Sequence, residues 1–201
     1  VVSAEDDESS LKANLMLANL FSELGRYDEA IKTLEPLNDI SAAFAAASMY
    51  MSRNQFVEAA NQYESLVAML PEDAADRTVR VFRPDTSRPG LTEIALPRHA
   101  FFEQYSECLA RSDRPDEAQS VFDRLPLPQD DRDRAARALI QSMIYAGFAT
   151  EKYRDNQDGM AEESSALEQL ALAKRLLPRD IGPRLLDCLL YTSPSPRDRY
   201  I

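Results

Sequence analysis

The chain has 201 residues, 44% of them apolar, with 5 glycines and 12 prolines. That composition supplies a sizeable core and suits helices. A formal charge of −11 speaks against nucleic acid, whose phosphates demand a basic surface, and against an anionic membrane. One histidine and two cysteines, Cys108 and Cys188, offer neither a metal-ligand cluster nor a disulfide framework.

Residues 1–10 are polar and acidic and read as a frayed lead-in, with Ser9 or Ser10 as N-cap. From Leu11 to Leu37 the pattern predicts helix, tight turn, helix. Gly25 ends the first helix because glycine takes positive φ at no steric cost. Asp28 and Glu29 place negative charge on the first turn of the next helix, where the dipole favours it. Leu20, Leu24, Tyr27, Ile31 and Leu34 form the expected apolar seam, with Pro36 late in the second helix. A second hairpin is expected from Ser41 to Leu70, closing at Pro71. Its turn, Arg53 to Ala59, repeats the first: Asn54 for Gly25, Phe56 for Tyr27, Glu58 for Glu29, Ala59 for Ala30.

Residues 72–98 interrupt the pattern. Thr78–Arg83 and Leu91–Leu96 alternate apolar and polar around the turn-forming stretch Pro84–Gly90, which suits a small β-hairpin or an irregular loop. A third helix pair follows over residues 99–130, with Pro115 at a helix start and Ala118, Val121, Phe122 and Leu125 along the seam. The fourth, over 133–178, is irregular: its first helix is expected to stop at Gly147, and a polar stretch, Thr150–Gly159, separates the partner helix. Ala30 and Ala59 lie 29 residues apart, and His99 and Asp133 lie 34 apart.

A helix pair of this length cannot bury its seam alone, and the recurring period resembles the tetratricopeptide repeat family. The resemblance rests on Ala18, Gly25, Tyr27, Ala30 and Leu34 in the first pair. In the second it rests on Ala47, Tyr50, Phe56, Ala59, Tyr63 and Pro71. In the third the matching residues are Phe102, Leu109, Ala118 and Phe122; in the fourth, Leu139, Gly147, Ala166, Leu170, Ala173 and Pro178. Asn14, Ala43, Phe102 and Ala136 stand where the family often has tryptophan. The resemblance implies an all-α, right-handed superhelical stack of antiparallel helix pairs over residues 11–187, in repeats of about 11–39, 40–71, 99–130 and 133–178, with a fifth beginning at 181–187. The chain opens on Val1-Val2 without methionine and reads as a piece of a longer protein. Cys188–Arg199 resembles a translated sequencing-adapter read-through, so 188–201 are read as a non-native tail outside the fold.

The resemblance further implies a concave groove lined by first helices. Residue by residue, it assigns Lys12, Leu15 and Asn19, then Phe44, Ser48 and Met51, then Glu103, Glu107 and Arg111, then Arg137, Gln141 and Tyr145. A family subtype clamps a partner's C-terminal carboxylate with Lys and Asn. Asn19 fits that pattern, but Leu15, Ala45, Ala100 and Gln104 depart from it, so no such clamp is expected. In the insertion Arg80, Arg83 and Arg88 are locally basic and suit an acidic partner surface, since arginine pairs carboxylates bidentately. No catalytic constellation, cofactor or metal site is expected. The expected function is a protein–protein interaction scaffold accepting a helix or extended peptide. A helical-repeat RNA binder and a structural spacer are the alternatives. No nucleic acid or membrane partner is expected; the oligomeric state and compartment stay open, with the cytoplasm favoured.

Overall fold

Eight helices and one two-stranded antiparallel sheet make up the described part of the computed structural model, which covers residues 4–70, 78–84 and 90–178, with side chains from Asp7 onward. Pro71, Arg88, residues 181–187 and the tail 188–201 lie outside it. The chain divides into two compact units, Val1–Tyr105 and Ser106–Ile201.

In the first unit, α1 (Ala4–Glu23) pairs with α2 (Tyr27–Leu34), and α3 (Ile40–Ser52) pairs with α4 (Phe56–Met69). Two expectations about the first pair are corrected. Residues 4–10 are helical rather than a frayed lead-in. Asp7 and Glu8 lie in the early turns of α1, where the dipole favours negative charge. The seam also runs along a different face. Leu20 and Leu24 are 51% and 61% exposed, whereas Leu15, Ala18, Ala30, Ile31 and Leu34 are buried. Leu11, Leu15 and Ala18 follow the 3.6-residue period onto one face; Leu20, two positions beyond Ala18, falls far from it. Pro36 lies outside α2, which ends at Leu34: Glu35 keeps helical dihedrals, but proline has no N–H to continue the hydrogen-bond ladder. Asp39 then caps α3, its carboxylate accepting from the Ser41 and Ala42 amides at 2.7 and 3.3 Å.

The insertion folds as a hairpin. Strands β1 (Thr78–Pro84) and β2 (Leu91–Pro97) pair in register, with Val81 opposite Ile94 and Arg83 opposite Thr92. The helix α5 (Arg98–Arg111) follows and spans the division at Tyr105. Within the first unit Phe101 on α5 meets Phe44 edge to face, centroids 5.6 Å apart. Tyr63 on α4 is fully buried, its hydroxyl donating to Gln104 Oε1 and lying 3.7 Å from Met51 Sδ.

The second unit holds the C-terminal part of α5, with α6 (Pro115–Phe122), α7 (Asp131–Arg154) and α8 (Met160–Leu176). Here α7 runs through Gly147 without stopping, and the first half of the stretch expected to be a polar linker, residues 150–154, forms its last turn. Gly147 serves close packing instead: an added Cβ would come within 3.0 Å of the Pro115 Cβ.

Two devices recur at every helix pair. The first is the turn. Gly25, Asn54, Asp113 and Asn156 all take left-handed φ, at 73°, 58°, 61° and 56°. The next residue's amide reaches back to a carbonyl five positions earlier: Arg26 to Phe21 (2.8 Å), Gln55 to Tyr50 (3.0 Å), Arg114 to Leu109 (3.1 Å) and Gln157 to Lys152 (2.7 Å). This closes each first helix by the same hydrogen-bond exchange. The second is a small residue on each helix of the pair. Ala18 and Ala30, Ala47 and Ala59, Ser106 and Ala118, and Ser142 and Ala166 are all buried. In the last two pairs the serine hydroxyl donates to the alanine carbonyl, at 2.9 and 2.8 Å, satisfying a group that burial would otherwise leave unpaired. Arg26 and Arg114 each fork onto the glutamate three residues on, Glu29 and Glu117. Both carboxyls sit below their usual range because of that hydrogen bond.

The turn geometry makes a direct prediction. Asn54 is exposed, so Asn54→Gly relieves left-handed strain and raises stability by up to about 1 kcal/mol, whereas Asn54→Val lowers it by about 1–2 kcal/mol. Urea midpoints followed by circular dichroism decide it, and a neutral valine variant would refute the account.

Candidate functional site

The site begins with alanines. Ala42, Ala43, Ala46 and Ala47 bury a face of α3 without bulk, and Leu15 and Ala18 from α1 join Ala30, Leu34, Ala42 and Ala46 in one apolar cluster. Phe82 and Leu91 of the hairpin pack against this cluster. The Phe82 amide donates to the Ser41 hydroxyl at 3.1 Å, and the Lys12 ammonium lies 4.8 Å above the Phe82 ring. The hairpin is thereby fixed over α1 and α3.

Between the helices and the hairpin lies a cleft of about 390 Å³. Its apolar lining includes Leu15, Phe44, Met49, Phe82 and Leu91; its polar lining is Asn19, Ser22, Ser48 and Ser52; Arg83 is at its edge. A broader, more polar hollow of about 790 Å³ lies near Lys12, Ser41, Arg80, Phe82 and Glu93.

Of the residues assigned to a groove from sequence, Leu15, Asn19, Phe44 and Ser48 line this one cleft. Leu15 belongs to the core rather than to an open face, at 4% exposure, because it packs toward α2 and α3. Asn19 donates to Glu23 at 2.9 Å, and Ser48 to the Phe44 carbonyl at 2.8 Å. Lys12 is paired with Glu8 and lines the broader hollow. Met51 packs at the Tyr63 hydroxyl, outside the cleft. On α5, Glu103 is half-buried, and Glu107 pairs with Arg111 at 3.0 Å.

In the second unit Arg137 is corrected. It is 8% exposed, and its guanidinium donates to the Pro126 carbonyl, tying down the segment between α6 and α7. Gln141 donates to Gln119 at 2.8 Å, and Tyr145 is half-buried on α7. Arg137 and Gln141 line a hollow of about 340 Å³. Of the hairpin arginines, Arg80 pairs diagonally across the strands with Glu93 at 3.6 Å, and Arg83 edges the cleft.

Sequence reasoning missed Ser106 and Ser142, although Ser106 stands twelve residues before Ala118, the interval separating Ala18 from Ala30 and Ala47 from Ala59. It also missed Phe82 and Leu91 as walls, since strand alternation does not say which helices a hairpin will cover.

Cys108 is fully buried, and burial first, then the nearby Glu107 carboxylate, pushes its thiol up to about 12, with Arg111 opposing. Such a thiol carries almost no thiolate at neutral pH. Among the described residues no group of His, Cys, Asp or Glu is placed to hold a metal, and no helix is long and apolar enough to cross a membrane.

Successive antiparallel pairs, each closed by a left-handed turn and crossing at small residues, define a helical-hairpin repeat protein. The sequence pattern of the tetratricopeptide repeat matches residues 15–36 of the chain, over α1 and α2. That repeat is a protein–protein interaction module of a typically non-catalytic family. No curated protein matches the chain.

Proposed function

We propose that this protein holds a segment of another protein in the cleft formed by α1, α3 and the β-hairpin. The observation that carries the reading is the lining: an apolar floor of Leu15 and Phe44, an apolar wall of Phe82 and Leu91, and neutral polar groups supplied by Asn19, Ser22, Ser48 and Ser52. Apolar anchors seated in a pocket with a few polar groups around it are what peptide recognition uses. The two helices and the hairpin are already packed together, so little ordering opposes binding.

The test is a random twelve-residue peptide library, displayed with both ends joined to carrier protein, selected on the full chain. Ser48 is exposed and bonds only within its own helix, so Ser48→Trp fills the cleft and spares the core. Selected peptides are expected to bind the wild-type chain and to lose about tenfold or more in affinity on Ser48→Trp, near 1.4 kcal/mol. A selection that yields no peptide sensitive to Ser48→Trp would remove the proposal.

A further inference from the structure

Three basic residues line the hollows where the hairpin meets α1, Lys12 and Arg80 the broader one and Arg83 the cleft, and their situations differ. Lys12 is matched by Glu8 and by the face of Phe82. Arg80 is matched by Glu93. Arg83 stands three positions along the same strand, opposite Thr92, exposed, and makes no ion pair with any described residue. It is also the one formal charge among the cleft's lining residues. The chain as a whole carries −11, so most of its surface repels an acidic segment, whereas this edge attracts one. A guanidinium offers a planar fork of donors that fits a carboxylate with two parallel hydrogen bonds.

We infer that the cleft recognises an internal, extended segment of a partner protein in which a large apolar residue lies beside an aspartate or glutamate, the apolar side chain entering between Phe44 and Leu91 and the carboxylate pairing with Arg83. This deepens the function proposed above and rests on it. The volume of about 390 Å³ accommodates one large apolar side chain and adjoining backbone, not a whole helix. The reader of charge is supplied by the inserted hairpin and not by the repeat helices, so the specificity belongs to this chain's insertion. The carboxylate is a side chain and not a chain end: the one amide side chain in the lining, Asn19, is engaged by Glu23, and no lysine lines the cleft.

The same peptide library has no free C-termini and tests this directly. Peptides that lose binding on Ser48→Trp are expected to share an apolar residue within two positions of Asp or Glu. Their affinity is expected to fall about tenfold on Arg83→Glu, and to return when the peptide acid is changed to lysine. Arg83 is exposed on a strand, so the Arg83→Glu chain keeps its fold, as an unchanged circular-dichroism spectrum verifies. Peptides that are lost on Ser48→Trp but lack an acid, or that tolerate Arg83→Glu, overturn this inference and leave the proposed function standing. Absence of any peptide sensitive to Ser48→Trp overturns both.

Discussion

Tyr63→Ala lowers the stability of the first unit by roughly 3–5 kcal/mol, the range for emptying a fully buried aromatic site. Tyr63 is among the largest side chains without solvent exposure in the molecule. It projects from α4, and its hydroxyl reaches Gln104 on α5 and lies 3.7 Å from Met51 on α3. Truncation therefore removes ring contacts, opens a void and strands an amide oxygen together. Tyr63→Phe separates these causes. It keeps the ring and loses the hydrogen bond alone, for a cost of about 1 kcal/mol. Since small domains hold only about 5–15 kcal/mol in total, the alanine variant should show much faster amide exchange along α3 and α4 and a markedly lower urea midpoint. An alanine variant within about 1 kcal/mol of wild type would show that the ring is not the strut described here.

Gly159→Ala destabilises the tip of the second unit's long hairpin by about 1–3 kcal/mol. The backbone itself tolerates alanine, since φ is −101°. The obstruction is steric. An added Cβ would sit 2.8 Å from the Ala149 carbonyl oxygen, 3.1 Å from its Cα and 3.2 Å from Tyr153 Cζ. Two of those three atoms are backbone of α7, which cannot retreat without breaking the helix. Separating α8 from α7 at this point also strains two ties across the tip, Tyr153 to Glu163 at 2.7 Å and Lys152 to Glu162 at 2.6 Å. The latter hydrogen bond holds the Glu162 carboxyl below its ordinary range. Gly147→Ala is the comparison. Its Cβ would press at 3.0 Å on a proline side chain, while alanine in mid-helix returns about 1 kcal/mol of helix propensity. The Gly147 variant should therefore be the more stable of the two, with exchange protection in the last turns of α7 intact. Equal stability for the two variants would refute the steric argument.

The parts of the fold legible in the residues were those governed by near neighbours. Gly25 and Asn54 announce left-handed turns because few other residues adopt that backbone conformation without strain. The alternation over Thr78–Arg83 and Leu91–Leu96 announces paired strands. The fourth helix pair misled for a physical reason. Ser142 precedes its left-handed residue, Asn156, by 14 positions, where Ala18 precedes Gly25 by 7. Seven extra residues are close to two helical turns, so the buried face is preserved while the spacing of the repeat is lost. Gly147, falling near where a short first helix would end, then resembles a terminator although it is a packing site.

By itself, then, the sequence determined the first helix pairs and their turns at Gly25 and Asn54, and allowed either a hairpin or an irregular loop in the insertion, because those depend on dihedral preference and periodicity within a few residues. Only the tertiary structure decided that the hairpin covers α1 and α3 through Phe82 and Leu91, that Leu15 forms a floor and not a rim, and that Arg137 is buried against Pro126. Those outcomes depend on which surfaces meet across long stretches of chain, and a side chain's type does not state what will be packed against it.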